Sequence, residues 1–181
     1  MKSVSEFSPE ELAAWVCEAL AGAGIVVTLT GGGCVSVWTG GEYVSRDLDF
    51  VEQGTVPRRR VRAVMQSLGF TEQRRYFSHA DTEFVIEFPG GPLAVGDSPV
   101  TSVSIRRNAT GTLRLLSPTD CVKDRLAAFF HWDDREALAQ AVLVARAQPV
   151  ELDEVRRWSR AEGSAARFEE FLRELGRGRR E

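Results

Sequence analysis

Residues 25–51 read IVVTLTGGGCVSVWTGGEYVSRDLDFV, and the fold turns on this stretch. Ile25 to Leu29 is a short apolar run rich in β-branched side chains, which predicts a buried strand. Gly31, Gly32 and Gly33 follow it at once. Cys34 to Trp38 makes a short helix that Gly40 and Gly41 end. Ser45 to Val51 reads as a second strand. Side chains alternate along a strand, so Asp47 and Asp49 project from one face, while Leu48 and Phe50 point the other way into a core.

Two carboxylates on one face repel each other, and a divalent cation is the usual relief. Mg²⁺ is commonly held by a couple of carboxylates together with substrate phosphates. The glycines supply the other half of such a site. They let backbone N–H groups approach a phosphate chain, and the helix behind them offers its positive end. Phosphate cradle plus paired carboxylates is an arrangement for phosphoryl or nucleotidyl transfer.

Gly-Gly, a short helix and Asp-x-Asp on the next strand resemble the nucleotidyltransferase fold of the polymerase β superfamily. Within it the chain is most similar to the small bacterial AbiEii-like and MenT-like nucleotidyltransferases. The matching residues are Gly31, Gly32, Gly33, Ser45, Asp47 and Asp49, with Asp47 standing 14 residues after Gly33. The resemblance covers roughly residues 25–147. It implies an α/β (α+β) minimal nucleotidyltransferase fold, with C-terminal helices after a mixed sheet. It also implies a toxin-like context, with tRNA or another RNA as acceptor and a cognate antitoxin as partner.

The site that the resemblance implies has named members. Asp47 and Asp49 hold Mg²⁺ (or Mn²⁺), and Glu87 is the third carboxylate, with Glu83 as the alternative. Gly31, Gly32, Gly33 and Ser45 bind the phosphates. Lys123 is a compact cation over them, and Asp134 or its neighbour Asp133 is a later catalytic aspartate. The implied reaction moves a nucleoside monophosphate from an NTP to RNA, protein or a small molecule. The rival is a non-catalytic nucleotide-binding or antitoxin-type interaction protein that keeps the fold.

Lys123 also stands out by composition. The basic residues are almost all arginine, and the only lysines are Lys2 and Lys123. The chain of 181 residues carries a net charge of −3, with 43% hydrophobic and 27% charged residues. That balance suits one soluble globular body and excludes a chain basic throughout. Cys17, Cys34 and Cys121 have no metal-ligand spacing and read as buried reduced thiols. Ser3 to Glu11 is polar and acidic, so no signal peptide is read there. No apolar run reaches transmembrane length. A cytoplasmic location without membrane contact is expected.

The remaining elements follow from local signals. Ser8-Pro9-Glu10-Glu11 starts a helix with a capping box and runs to about Leu20. Pro57 opens a second helix to about Leu68. Its Arg58, Arg59, Arg60 and Arg62 form either a solvated face or a phosphate contact. Phe70 to Phe77 and Glu83 to Phe88 are strands, with Glu83, Val85 and Glu87 on one face. Val100 to Arg106 and Thr112 to Leu116 follow, for a sheet of about five strands. Ser117-Pro118 starts another helix, with Val122, Leu126, Phe129 and Phe130 inward. Three further helices precede a tail from Gly176 that is expected to be mobile. The domain reading is an α/β core over residues 1–116 and a helical region over residues 117–181 packed on it.

Overall fold

The structure is a computed structural model that describes residues 2–177. Helix α1 (Pro9–Gly22) opens as its sequence predicts. Ser8 accepts from the Glu11 N–H, and the Glu11 carboxylate accepts from the Ser8 N–H. Strand β1 (Val27–Thr30) leads into α2 (Gly31–Trp38), then β2 (Asp47–Glu52) and α3 (Arg58–Ser67). Helix α2 starts at Gly31, not at Cys34, so the three glycines form its first turn. Gly31 has φ +61°, which bends the chain straight from strand to helix.

The stretch expected as one strand over Phe70 to Phe77 is a hairpin of β3 (Thr71–Gln73) and β4 (Tyr76–Ser78). Arg74, at φ +58°, makes the turn. Strand β5 (Val85–Glu87) follows, then a small hairpin of β6 (Ala94–Val95) and β7 (Ser98–Pro99). Strands β8 (Ser104–Asn108) and β9 (Gly111–Leu115) complete the sheet. Among the described residues the mixed sheet therefore has seven strands, in the order β3-β4-β5-β2-β1-β9-β8, rather than about five. Helices α4 (Pro118–Trp132), α5 (Arg135–Ala147), α6 (Leu152–Ala161) and α7 (Ala165–Arg177) end the described chain. Gly176 lies within α7. The rest of the expected mobile tail, residues 178–181, lies outside the described residues.

Register separates the two faces of the sheet. Leu29 pairs with Phe50 and with Leu115, and Leu48 pairs with Ile86, which pairs with Phe77. All six are fully buried. Helix α2 lies against this apolar face, since a Cβ on Gly33 would stand 2.8 Å from Leu48 Cδ2 and 3.1 Å from Leu29 Cδ1. Helix α3 is there too, with Arg58 over the Phe77 ring. The second face carries Thr28, Thr30, Asp47, Asp49, Val51, Glu87 and Arg114. Between β5 and β8, residues 89–103 form a strap. Trp158 of α6 donates to the Val95 carbonyl at 3.3 Å, and the Asp97 N–H donates to Glu162 at 3.0 Å. Cys17, Cys34 and Cys121 are buried free thiols. No helix among the described residues is long and apolar enough to cross a membrane.

Candidate active site

The carboxylates meet at the C-terminal end of β1, where Thr30 pairs with Asp49 in antiparallel β2. Parallel β5 then sets Glu87 beside Asp49. Neighbouring strands are under 5 Å apart, so the two acids share one patch of the second face. Glu83, the alternative, lies before β5 and is exposed in an ion pair with Arg46 at 3.0 Å.

The electrostatics follow from this crowding. Burial, then Glu87, then Asp47 push the Asp49 carboxyl up to about 6. A carboxylate held that high by desolvation and like charge is a group that favours a cation. Among the described residues no three His, Cys, Asp or Glu side chains form a metal-enclosing cluster. The donor set fits an ion held by two carboxylates and completed by other oxygens, which is how Mg²⁺ is usually bound with phosphates. Glu87 is 3.4 Å from the exposed Arg75, whose guanidinium offsets part of its charge.

The glycine turn closes on these acids. A Cβ on Gly31 would stand 2.8 Å from Asp49 Oδ2, and one on Gly32 would stand 2.9 Å from Ser45 Oγ. Only glycine leaves this space open at both positions. The Ser45 hydroxyl donates to the Asp47 carbonyl at 2.9 Å and accepts from the Asp47 N–H at 3.2 Å, a local turn that orients Asp47. Ser36 ties the two segments together. Its Oγ accepts from the Ser45 N–H at 2.8 Å and donates to the Gly32 carbonyl at 3.1 Å.

The cation at the glycine turn is Arg125. Its Nη2 is 3.8 Å from where a Gly31 Cβ would sit, and its charge pulls against the rise in Asp49. Asp124 orients it through two bonds, at 3.0 and 2.6 Å. Lys123 lies two residues earlier, so on a helix it points about 200° away. It is 7% exposed and pairs with Asp120 at 3.1 Å and with Glu154 of α6. The structure thus brings Arg125, rather than Lys123, to the glycine turn.

Asp134 caps α5, accepting from the Ala137 N–H at 2.9 Å, and Asp133 accepts from Arg167 at 3.0 Å. The structure engages both at helix ends. The side chains that α5 does send toward the turn are Glu136 and Gln140. Tyr43 donates to Glu136 at 3.2 Å, Gln140 donates to Glu136 at 3.3 Å, and Arg125 donates to Gln140 at 3.4 Å. The sequence reading missed Arg125, Tyr43, Glu136 and Ser36, because no motif spacing distinguishes them. The Asp-Arg pair at 124–125 was the one available signal.

This chain has the nucleotidyltransferase fold. In solution, the antibiotic-resistance factor ANT(2″)-Ia has a similar structure, with TM-score 0.52 and 14% identity over 95% of this chain and 96% of that one. The crystal structure of ANT(2″)-Ia in complex with adenylyl-2″-tobramycin is similar too, with TM-score 0.52 and 14% identity over 90% and 97% of the two chains. At that identity the likeness is one of fold. No protein-family model matches the sequence, and no curated protein matches it.

Proposed function

We propose that this protein transfers a nucleoside monophosphate from an NTP to an acceptor, with Mg²⁺ (or Mn²⁺) as its cofactor. The observation that carries this reading is the convergence of Asp47, Asp49 and Glu87 on one face beside the Gly31 turn and Arg125. Asp47 and Asp49 hold the ion, which neutralises charge on the triphosphate. The N–H groups of the glycine turn cradle the phosphates. Arg125 takes the part that the resemblance gives to Lys123, facing charge that grows as the pyrophosphate leaves. Glu87 accepts the proton of the attacking hydroxyl.

The fold shared with ANT(2″)-Ia supports nucleotidyl transfer in general. The acceptor is RNA, protein or a small molecule, and a toxin role would add an antitoxin as partner. One observation favours the second reading, a non-catalytic nucleotide-binding protein. It is the lack of a three-ligand cluster among the described residues. Incubation with each labelled NTP, Mg²⁺, and either total RNA or small acceptors decides between them. Transfer that disappears in the Asp47→Asn, Asp49→Asn double variant is expected. Nucleotide binding that needs neither aspartate nor metal would establish the second reading.

A further inference from the structure

The second face of the sheet also floors a cavity of about 690 Å³, a size typical of small-molecule sites. Thr28, Val51 and Arg114 line it from the sheet, Thr55 from the loop after β2, and Thr101 and Ser102 from the strap. Register fixes its place. Thr30 pairs with Asp49, and Thr28 pairs with Val51. The cavity therefore begins one strand alternation, about 7 Å, beyond Asp49. It lies on the side of Asp49 away from the glycine turn, where an attacking group must stand if the triphosphate lies on the glycines.

Arg114 gives the cavity its chemistry. Its Nε is buried and has no hydrogen-bond partner among the described residues. A buried donor left unpaired is costly and calls for a partner, whether an ordered water, an ion or a ligand, and the same guanidinium lines the cavity. Glu52, the acid that also lines this cavity, alternates to the opposite face of β2, where burial raises its carboxyl and Arg58 of α3 pulls against that rise. Among the described residues no ion pair joins it to Arg114. The cavity thus presents one guanidinium among the hydroxyls of Thr28, Thr55, Thr101 and Ser102. A guanidinium fork matches carboxylate or phosphate in two parallel bonds.

We propose that this cavity is the acceptor pocket and that it takes a small hydroxylated anion, whose phosphate or carboxylate sits on Arg114. The inference rests on the nucleotidyl-transfer reading above. A hydroxyl oxygen of the acceptor bonds to the α-phosphorus of the NTP, the bond from that phosphorus to the pyrophosphate oxygen breaks, and the hydroxyl proton passes to Glu87. A polycationic acceptor would meet like charge at Arg114.

The test uses the full chain with glycerol 3-phosphate and glycerate as probes, and glycerol and glucosamine as controls, titrated by heteronuclear NMR. At least one anion is expected to bind and to shift strap resonances, and the stronger of the two shows whether phosphate or carboxylate is preferred. Arg114→Gln should weaken that binding by about tenfold or more, as for one lost charged hydrogen bond. Thr101→Trp fills the cavity from an exposed strap position, so it should block binding without unfolding the sheet. MgATP binding should be unchanged in both variants.

Equal binding of glycerol or glucosamine overturns the proposal. So does anion binding unaltered by Arg114→Gln, or no anion binding at tens of millimolar. Label transfer from ATP to total RNA that survives Thr101→Trp overturns it in favour of a polynucleotide acceptor. Wild-type failure to bind MgATP, with anion binding intact, would instead refute the nucleotidyl-transfer reading.

Discussion

Asp49 is a carboxylate that the fold stabilises in its neutral form. An unfolded aspartate titrates near 3.9, and here burial, Glu87 and Asp47 raise the folded value to about 6. Between those values the native state holds the extra proton, so metal-free stability falls as pH rises through the window. Above pH 6 that contribution is gone. Asp49→Asn should therefore be more stable than the wild type at pH 7 by an amount on the order of 2 kcal/mol, with the gain vanishing near pH 4. Urea unfolding at the two pH values checks this; equal gains at both would remove the titration argument. A second residue-scale contrast concerns the two cations of α4. Arg125→Ala should lower turnover by roughly tenfold to a thousandfold, as for one lost electrostatic donor. Lys123→Met should leave turnover unchanged and destabilise by about 1–2 kcal/mol, because Asp120 and the partly exposed Glu154 lose their shared cation. The opposite pattern in steady-state kinetics would restore Lys123 to the site.

At the scale of the element, the first turn of α2 does two jobs with adjacent glycines. Gly31 faces the acids and has a positive φ, whereas Gly33 faces the core. Gly31→Ala must strain the backbone by roughly 1–2 kcal/mol and crowd Asp49 Oδ2, so MgATP affinity should fall sharply. Gly33→Ala meets Leu48 and Leu29 instead, so the melting temperature should drop while the remaining folded protein binds nucleotide normally. Calorimetry paired with nucleotide titration separates the two. These glycines were legible as a close-approach element, because nothing but a special turn accounts for three in a row after a strand. Their split duties were not, since the packing partners come from another strand.

The whole molecule is organised by the strap and the helices that hold it. Trp158 of α6 stacks on Phe130 and donates to Val95, while Glu162 accepts from the Asp97 N–H and meets His131 at 3.3 Å. The C-terminal helices thereby fix one wall of the cavity beside the carboxylates. Trp158→Phe keeps the stacking and removes one hydrogen bond, at about 1 kcal/mol. We expect it to raise KM for the acceptor and leave KM for the NTP unchanged. A parallel change in both constants would mean that the strap does not act on the acceptor side alone.

The sequence by itself determined the Ser-Pro helix starts, the first two strands and the alternation that puts Asp47 and Asp49 on one face. β-branched runs, the Ser-Pro helix starts at Ser8 and Ser117 and the Asp-x-Asp alternation are local signals, and local sterics and capping bonds decide them. Only the tertiary structure decided which residues stand around those two acids. The hairpin at Arg74 divided an expected strand, because a positive φ at a non-glycine residue leaves no mark in composition. Glu83 stayed an alternative to Glu87 on the sequence, because both lie on one face of their strand, until the β2–β5 register put Glu87 opposite Asp49. Lys123 drew notice as a lone lysine, yet the rotation of α4 against the sheet turned Arg125 toward Gly31 and Lys123 toward Glu154. Register and helix rotation are set by contacts between residues far apart in the chain, and a single sequence does not record those distances.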